Sequence, residues 1–314
     1  MSPSTTFTET AARVRNWGRW GDDDQLGTLN LIDDAARLRA AGCIKSGRAF
    51  SLGLELSERR GIQIGIVPGR INPLRTMTHL NTPLSGDPEW ICSNEDIVVM
   101  GTQAATHWDG LSHVSYDGRI YNGYPASSVT AAGASRCGIH LVRTLVSRGV
   151  LLDVARAKGL EVLEPGYPIQ PDDLDAACKL AHIRVVPGDI VLVRTGQMVH
   201  LALDRQRPRD LSKYVSPTPG LTMTTADWFR SHDVAAVAID TFPLEVLPCE
   251  ESETFLPVHL LHLVEMGLTQ GQNWVLDELA ADCAEDGVYE FFLDATPLPF
   301  VDGTGSPLNP VAIK

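Results

Sequence analysis

The feature that most limits what this chain can fold into is a strand-like run, Ile97-Val98-Val99-Met100. It leads into Gly101-Thr102-Gln103-Ala104-Ala105-Thr106-His107-Trp108-Asp109-Gly110-Leu111-Ser112-His113. The apolar run reads as a buried strand. His107 and Asp109 are two residues apart, and on an extended chain such side chains share a face. An imidazole beside a carboxylate is a pair of ligands for a divalent metal. Gly110 lets the chain bend, so that His113 swings back toward the same point, as a ligand or as a base. On the residues alone, the competing reading is a strand end carrying solvated polar side chains, because His and Asp are common outside cores.

At 314 residues the chain is long enough for one large core or two modest domains, and 44% hydrophobic with 21% charged residues is ordinary for a globular protein. A net charge of -13 argues against a nucleic-acid or anionic-membrane partner, since both need a basic face. Cys43, Cys92, Cys137, Cys178, Cys249 and Cys283 form no C-x-x-C pair and read as reduced, mostly buried thiols. No apolar h-region opens the chain and no run approaches a membrane span, so the cytoplasm is the expected compartment.

Taken in order, residues 1–16 predict a helix capped by Thr8 or Thr10. Residues 33–41 predict a second helix, ended by Gly42. Residues 49–56 alternate as a strand, and residues 60–95, rich in Gly, Pro, Asn and Thr, predict a long irregular excursion that contains His79. Ser115 to Tyr124 reads as a hairpin turning at Asp117-Gly118. Strand-like runs follow at residues 139–146, 150–154, 188–196, 234–240 and 288–293. Helices are expected at 171–181, 224–232 and 253–268, and Gly303-Thr304-Gly305-Ser306 reads as a turn. The fold expected is α/β, a single domain over residues 1–314 with a mixed sheet, few interspersed helices and an N-terminal extension of about 1–45. No internal repeat, G-x-S-x-G elbow, Walker loop, H-E-x-x-H or G-x-G-x-x-G is visible.

The stretch ending at His113 resembles the signature of the cyclase family, which includes bacterial kynurenine formamidase and isatin hydrolase and usually reads H-x-G-T-H-x-D-x-P-x-H. Thr106, His107, Asp109 and His113 match. Gln103 stands where the first His usually falls, Ala105 replaces the glycine and Leu111 the proline. The Trp17-to-Asn30 segment, which carries W-G-x-D-D-x-x-G-T-L-N from Trp20 to Asn30, the Tyr116-to-Gly123 segment and Gly188 to Gly196 are also similar to longer members. The resemblance implies a compact β/β/α fold and a Trp20-bearing loop packed by the substrate pocket, of this chain or of a neighbouring subunit. Tyr121 either faces that pocket or is a packed aromatic. Pro257-Val258-His259 matches a P-V-H motif, and Gln272, thirteen residues on, takes the place of a glutamate. His262 has no counterpart and is read as structural.

Two neutral amides, Gln103 and Gln272, weaken any site for two cations, which needs anions to offset their repulsion. The expectation is one ion held by His107, Asp109 and the Gln272 oxygen, with manganese favoured, as the resemblance to the isatin hydrolase branch implies, and zinc as the alternative. His113 and His259 are the expected catalytic bases. Trp20, Gln103 and Tyr121 are the expected substrate contacts. The function expected is a metal-dependent hydrolase that opens a cyclic amide, imide or lactone, or cleaves an aryl formamide, using a metal-activated water and a histidine base. The alternatives are a metal-dependent lyase or cyclase, or a small-molecule-binding protein with a decayed site. A homodimer or homotetramer is expected.

Overall fold

A computed structural model describes residues 3–205 and 208–314; residues 1 and 2 of the first expected helix lie outside them. Nine short strands form one mixed sheet. In chain order the strands that matter are β1 (Ala49–Ser51), β2 (Leu74–Pro83), β3 (Cys92–Val99), β4 (His107–Asp109), β5 (Val146–Asp153), β6 (Ile190–Arg194), β7 (Ala236–Ile239), β8 (Thr269–Gln272), β9 (Glu290–Asp294), β10 (Gly305–Pro307) and β11 (Val311–Ile313). The sheet order is β1-β11-β9-β5-β6-β7-β8-β4-β10. The centre, β5 through β8, is parallel. Its strands read as continuous apolar runs such as Ile190-Val191-Leu192-Val193, because both faces are covered. The flanks are antiparallel, so the expected mixed α/β sheet is what the chain forms.

Six helices carry the rest of the account: α1 (Thr5–Val14), α2 (Asp34–Ala41), α3 (Pro171–Ala181), α4 (Thr225–Ser231), α5 (Pro257–His259) and α6 (Asp277–Asp286). The cap of α1 is Ser4, whose hydroxyl accepts from Phe7 N, rather than Thr8 or Thr10. Asp33, expected as the first residue of α2, is its cap and accepts from Ala36 N. The helix expected over 253–268 starts late: Leu256 is left-handed and Pro257, with its fixed φ, takes the first helical position. After one turn it widens into a π segment, Leu260–Met266.

Several expected strands shift for physical reasons. Of the run expected at 139–146 only Val146 is strand, since Ile139–Leu141 form a 3-10 turn; β5 runs from there to Asp153 with Gly149 inside it, where an added Cβ would lie 2.2 Å from the Phe291 ring. Only Ala49–Ser51 of 49–56 pairs, because its partner β11 is three residues long. Gly305 opens β10 instead of a turn, pairing with Asp109.

The largest correction concerns residues 60–100. They hold an ordered hairpin, β2 against β3, that includes His79. The run ending at Val99 is a strand, yet it is not buried. Ile97, Val98 and Val99 are each about half exposed, because β3 pairs only with β2 and joins no larger sheet.

All six cysteines are free; Cys43, Cys137 and Cys283 are buried, while Cys92 is exposed on the hairpin. Among the described residues no helix is long and apolar enough to cross a membrane.

Candidate metal centre

The site is built where β4 lies between β8 and β10. In the antiparallel register His107 stands opposite Gln272 and Asp109 opposite Gln270. Directly opposed residues share a face, so one face of this strand pair presents an imidazole, a carboxylate and two amides. The intervening residues, Trp108 and Gly271, point into the core. Trp108 packs on Trp274 with ring centroids 4.9 Å apart and donates its indole N–H to Ala295 O at 2.7 Å. Gly271 makes room: a Cβ there would sit 2.6 Å from Trp274 Nε1 and 2.8 Å from Trp108 Cε3.

His107 and Asp109 are fully buried. His107 Nδ1 lies 2.7 Å from Ala105 O. A carbonyl only accepts, so Nδ1 carries the proton and Nε2 presents a lone pair. That lone pair faces Asp109 Oδ1 at 3.4 Å, and neither atom has a hydrogen-bond partner. Two buried acceptors pointed at each other need a cation between them, and an imidazole nitrogen with a carboxylate oxygen is the donor set of a borderline divalent ion. Asn273 Nδ2 also donates to Ala105 O, at 3.2 Å, and fixes the carbonyl that orients His107.

Asp109's other oxygen is held by amides. Gln272 Nε2 donates to Oδ2 at 2.7 Å and Gln270 Nε2 at 3.3 Å. The second hydrogen of the Gln272 amide points to His259 Nε2 at 3.4 Å. Two acceptors flank this group, so it is the NH2 that faces the cluster. Gln272 therefore joins the site as a donor that orients Asp109, not as the oxygen ligand expected. Burial pushes the Asp109 carboxyl up, but His113, His107 and His259 outweigh it and hold the carboxyl well below the usual range; Asp109 is ionised.

Both expected bases are present. His113 Nε2 lies 3.6 Å from Asp109 Oδ1 and His259 Nε2 lies 3.9 Å from Oδ2. His259 Nδ1 donates to Glu245 in a short hydrogen bond, and the same carboxylate accepts the backbone N–H groups of Val258 and His259. Burial opposes protonation of His259, but the bond to Glu245, its charge and that of Asp109 prevail, and the pKa is raised. Burial lowers the pKa of His113 despite Asp109, which keeps it neutral. No three His, Cys, Asp or Glu side chains among the described residues close into a complete metal cage; the orphaned pair is His107 with Asp109.

Within this chain the three expected substrate contacts are engaged as follows. Gln103 Nε2 lies 3.3 Å from His113 Nδ1 and its oxygen accepts from the Thr102 hydroxyl at 2.8 Å. Gln103 thus orients His113, leaving the ring proton on Nε2. Tyr121 is fully buried; its hydroxyl donates to Asp24 at 2.8 Å and its ring covers Gly267. Trp20 stacks under Arg19, whose guanidinium carbon is 4.7 Å from the ring centroid. The loop around Trp20 is tied down by Asn122, whose amide donates to Gly21 O, Asp22 O and Asp24 O. The two family-like segments grip each other.

His262 packs edge-on to Phe229 and burial pushes its pKa down to about 3, as a structural histidine requires. Sequence reasoning missed Glu245, Gln270, Asn273 and Arg70, whose charge reaches Asp109, His113 and His259. None lies in a motif with readable spacing, although Gln270 was within reach, two residues before Gln272. A cleft of about 110 Å³ lined by Leu54, Arg60, Ile62, Ala104 and Ala105 touches the loop behind His107, but His107, Asp109, His113 and His259 do not line it.

Residues 62–246 match the model of the cyclase family. A crystal structure described as a novel cyclase is 36% identical, covers 96% of this chain and 100% of its own, and has a TM-score of 0.85. Isatin hydrolase A from Labrenzia aggregata, bound to benzyl benzoate, is 18% identical over 87% of this chain and 94% of its own, with a TM-score of 0.60. A structure from Bacillus stearothermophilus described as a predicted metal-dependent hydrolase is 17% identical over 84% of this chain and 97% of its own, with a TM-score of 0.52. A search of curated proteins finds no match.

Proposed function

The chain belongs to the cyclase family, and from that premise we propose that it is a metal-dependent hydrolase of a cyclic amide, imide or lactone, or of an aryl formamide. The observation that carries the reading is the orphaned pair, His107 Nε2 facing Asp109 Oδ1 at 3.4 Å. These two atoms would hold one divalent cation, manganese in the favoured case and zinc in the alternative. Such a cation supplies Lewis acidity toward a carbonyl and acidifies water. The neutral amides of Gln103 and Gln272 are spent on His113, Asp109 and His259, which supports one ion per subunit rather than two. The isatin hydrolases and the metal-dependent hydrolase share this fold, which is consistent with the reading.

The protein's own groups divide proton handling. His259 keeps its Nδ1 proton on Glu245, so Nε2 is the acceptor for a proton from attacking water. His113 accepts from Gln103 at Nδ1, so its Nε2–H is a hydrogen-bond donor toward the substrate oxygen, and His259, once protonated, returns its proton to the leaving nitrogen or oxygen. Asp109, fixed by two amides, cannot rotate to compete. Burial of His107, Asp109 and His259 keeps bulk water from these groups.

The test is a hydrolysis screen of cyclic imides, cyclic amides, lactones and aryl formamides with added manganese or zinc. Metal-dependent ring opening or deformylation is the expected result. Ligand binding without turnover under every condition would support the decayed-site alternative instead. The reading also includes a homodimer or homotetramer, supported by the exposed apolar hairpin, and a cytoplasmic location.

A further inference from the structure

Arg70 lies outside the β4–β8 pair. It closes the loop that precedes β2, with its backbone N–H bonded to Val67 O at 3.2 Å. Its stem crosses Gly101: a Cβ on that glycine would come 3.2 Å from Arg70 Cγ. The next residue, Ile71, accepts from Gly101 N at 3.2 Å, so the start of the signature stretch and Arg70 are fastened together. Asp109, His113 and His259 all feel its charge.

What sets Arg70 apart is that nothing holds its head. Among the described residues no hydrogen bond or ion pair engages its guanidinium, although the side chain is partly buried. Other buried arginines are paired: Arg148 with Asp189 and Glu290, Arg194 with Asp153 and Asp277. The site's carboxylates are already committed. Asp109 faces two amides and three imidazoles, and Glu245 is taken by His259 and Val258. Burial without a partner lowers the pKa of Arg70, with Asp109 only partly offsetting this. Leaving a guanidinium desolvated and unpaired is costly, and its planar fork fits a carboxylate in two parallel bonds.

We propose that Arg70 is an anion anchor, and that the substrate carries a carboxylate of its own, separate from the carbonyl that is cleaved. The identity of the reacting group rests on the hydrolase reading; recognition of the anion does not. The carboxylate docks on the Arg70 fork at the rim, and the reacting carbonyl is thereby directed inward to His259, His113 and the His107–Asp109 pair.

The experiment is calorimetric titration of the metal-loaded protein with 4-carboxyphthalimide and with phthalimide, in wild type, Arg70→Gln and Arg70→Lys. Metal content and far-UV circular dichroism are recorded for each. Wild type is expected to bind the carboxylated probe roughly 10- to 100-fold more tightly, the worth of a charge-assisted pair. Arg70→Gln loses that preference, Arg70→Lys keeps part of it, and phthalimide affinity and metal content stay unchanged. Equal binding of the two probes, no saturable binding of the carboxylated probe, or a preference that survives in Arg70→Gln each overturns the anchor. The two readings fail separately. If the preference follows this pattern and no imide is ever hydrolysed, the anchor stands and the hydrolase falls. If phthalimide is hydrolysed and the carboxylate brings no advantage, the reverse holds.

Discussion

Asp109 shows how one side chain organises a site through what surrounds it. One oxygen is held by amides, and the other is left facing a lone pair on His107. The companion decision is made at His259, where Glu245 takes the Nδ1 proton and raises the imidazole's pKa. A base works only when deprotonated, so activity is lost as pH falls through that raised pKa. In Glu245→Gln the raising influence is removed, and the acid limb of kcat/KM should move to lower pH while kcat drops. A limb that stays in place would assign it to another group. His259→Ala should lose on the order of 10²–10⁴-fold in kcat while retaining metal. If it instead loses its metal and added metal restores it, His259 is a ligand. His107, Asp109, His113 and His259, singled out by spacing and resemblance, lie in one cluster. Glu245 and Arg70 were not legible, because they reach the cluster through tertiary packing across long separations in sequence. Gln272 lies in the same cluster with its amide N–H groups toward Asp109 and His259, an orientation that depends on neighbours the sequence does not order in space.

At the scale of elements, the β4–β8 pair is the frame of the site. Its register puts all four polar side chains on one face only because Trp108 fills the other and Gly271 lets it do so. Gly271→Ala would force the two tryptophans apart, at a cost of roughly 1–3 kcal/mol from overpacking. The urea midpoint should fall, and metal affinity with it, because a shift of β8 drags Gln270 and Gln272 off Asp109. Unchanged stability would mean that the pair tolerates displacement and is not the rigid frame described. The helix bearing His259 was legible from Pro257, but its late start and its widening into a π turn were not. Wide turns of this kind depend on packing and recur at functional sites.

For the whole molecule, the central parallel strands were read as strands because fully buried strands are continuously apolar. The same rule misread Ile97-Val98-Val99, since an apolar run states that a surface wants cover, not that its own chain supplies it. The β2–β3 hairpin leaves Leu80 72% and Trp90 79% exposed, with Ile97, Val98 and Val99 half exposed. A lone hairpin is marginal in water, and an apolar patch of this extent marks an interaction surface. The proposed homodimer or homotetramer would cover it. Light scattering after size exclusion should give a dimer or tetramer, and Leu80→Glu with Val98→Glu should shift it toward monomer. A monomeric wild type would refute this assignment of the hairpin.

The central claim is that His107 and Asp109 hold one divalent cation. Elemental analysis after desalting, on wild type, His107→Ala and Asp109→Ala loaded with manganese or zinc, tests it directly. One equivalent per subunit is expected in wild type and near none in either variant, with circular dichroism unchanged. Full occupancy in both variants, or two equivalents in wild type, would contradict it.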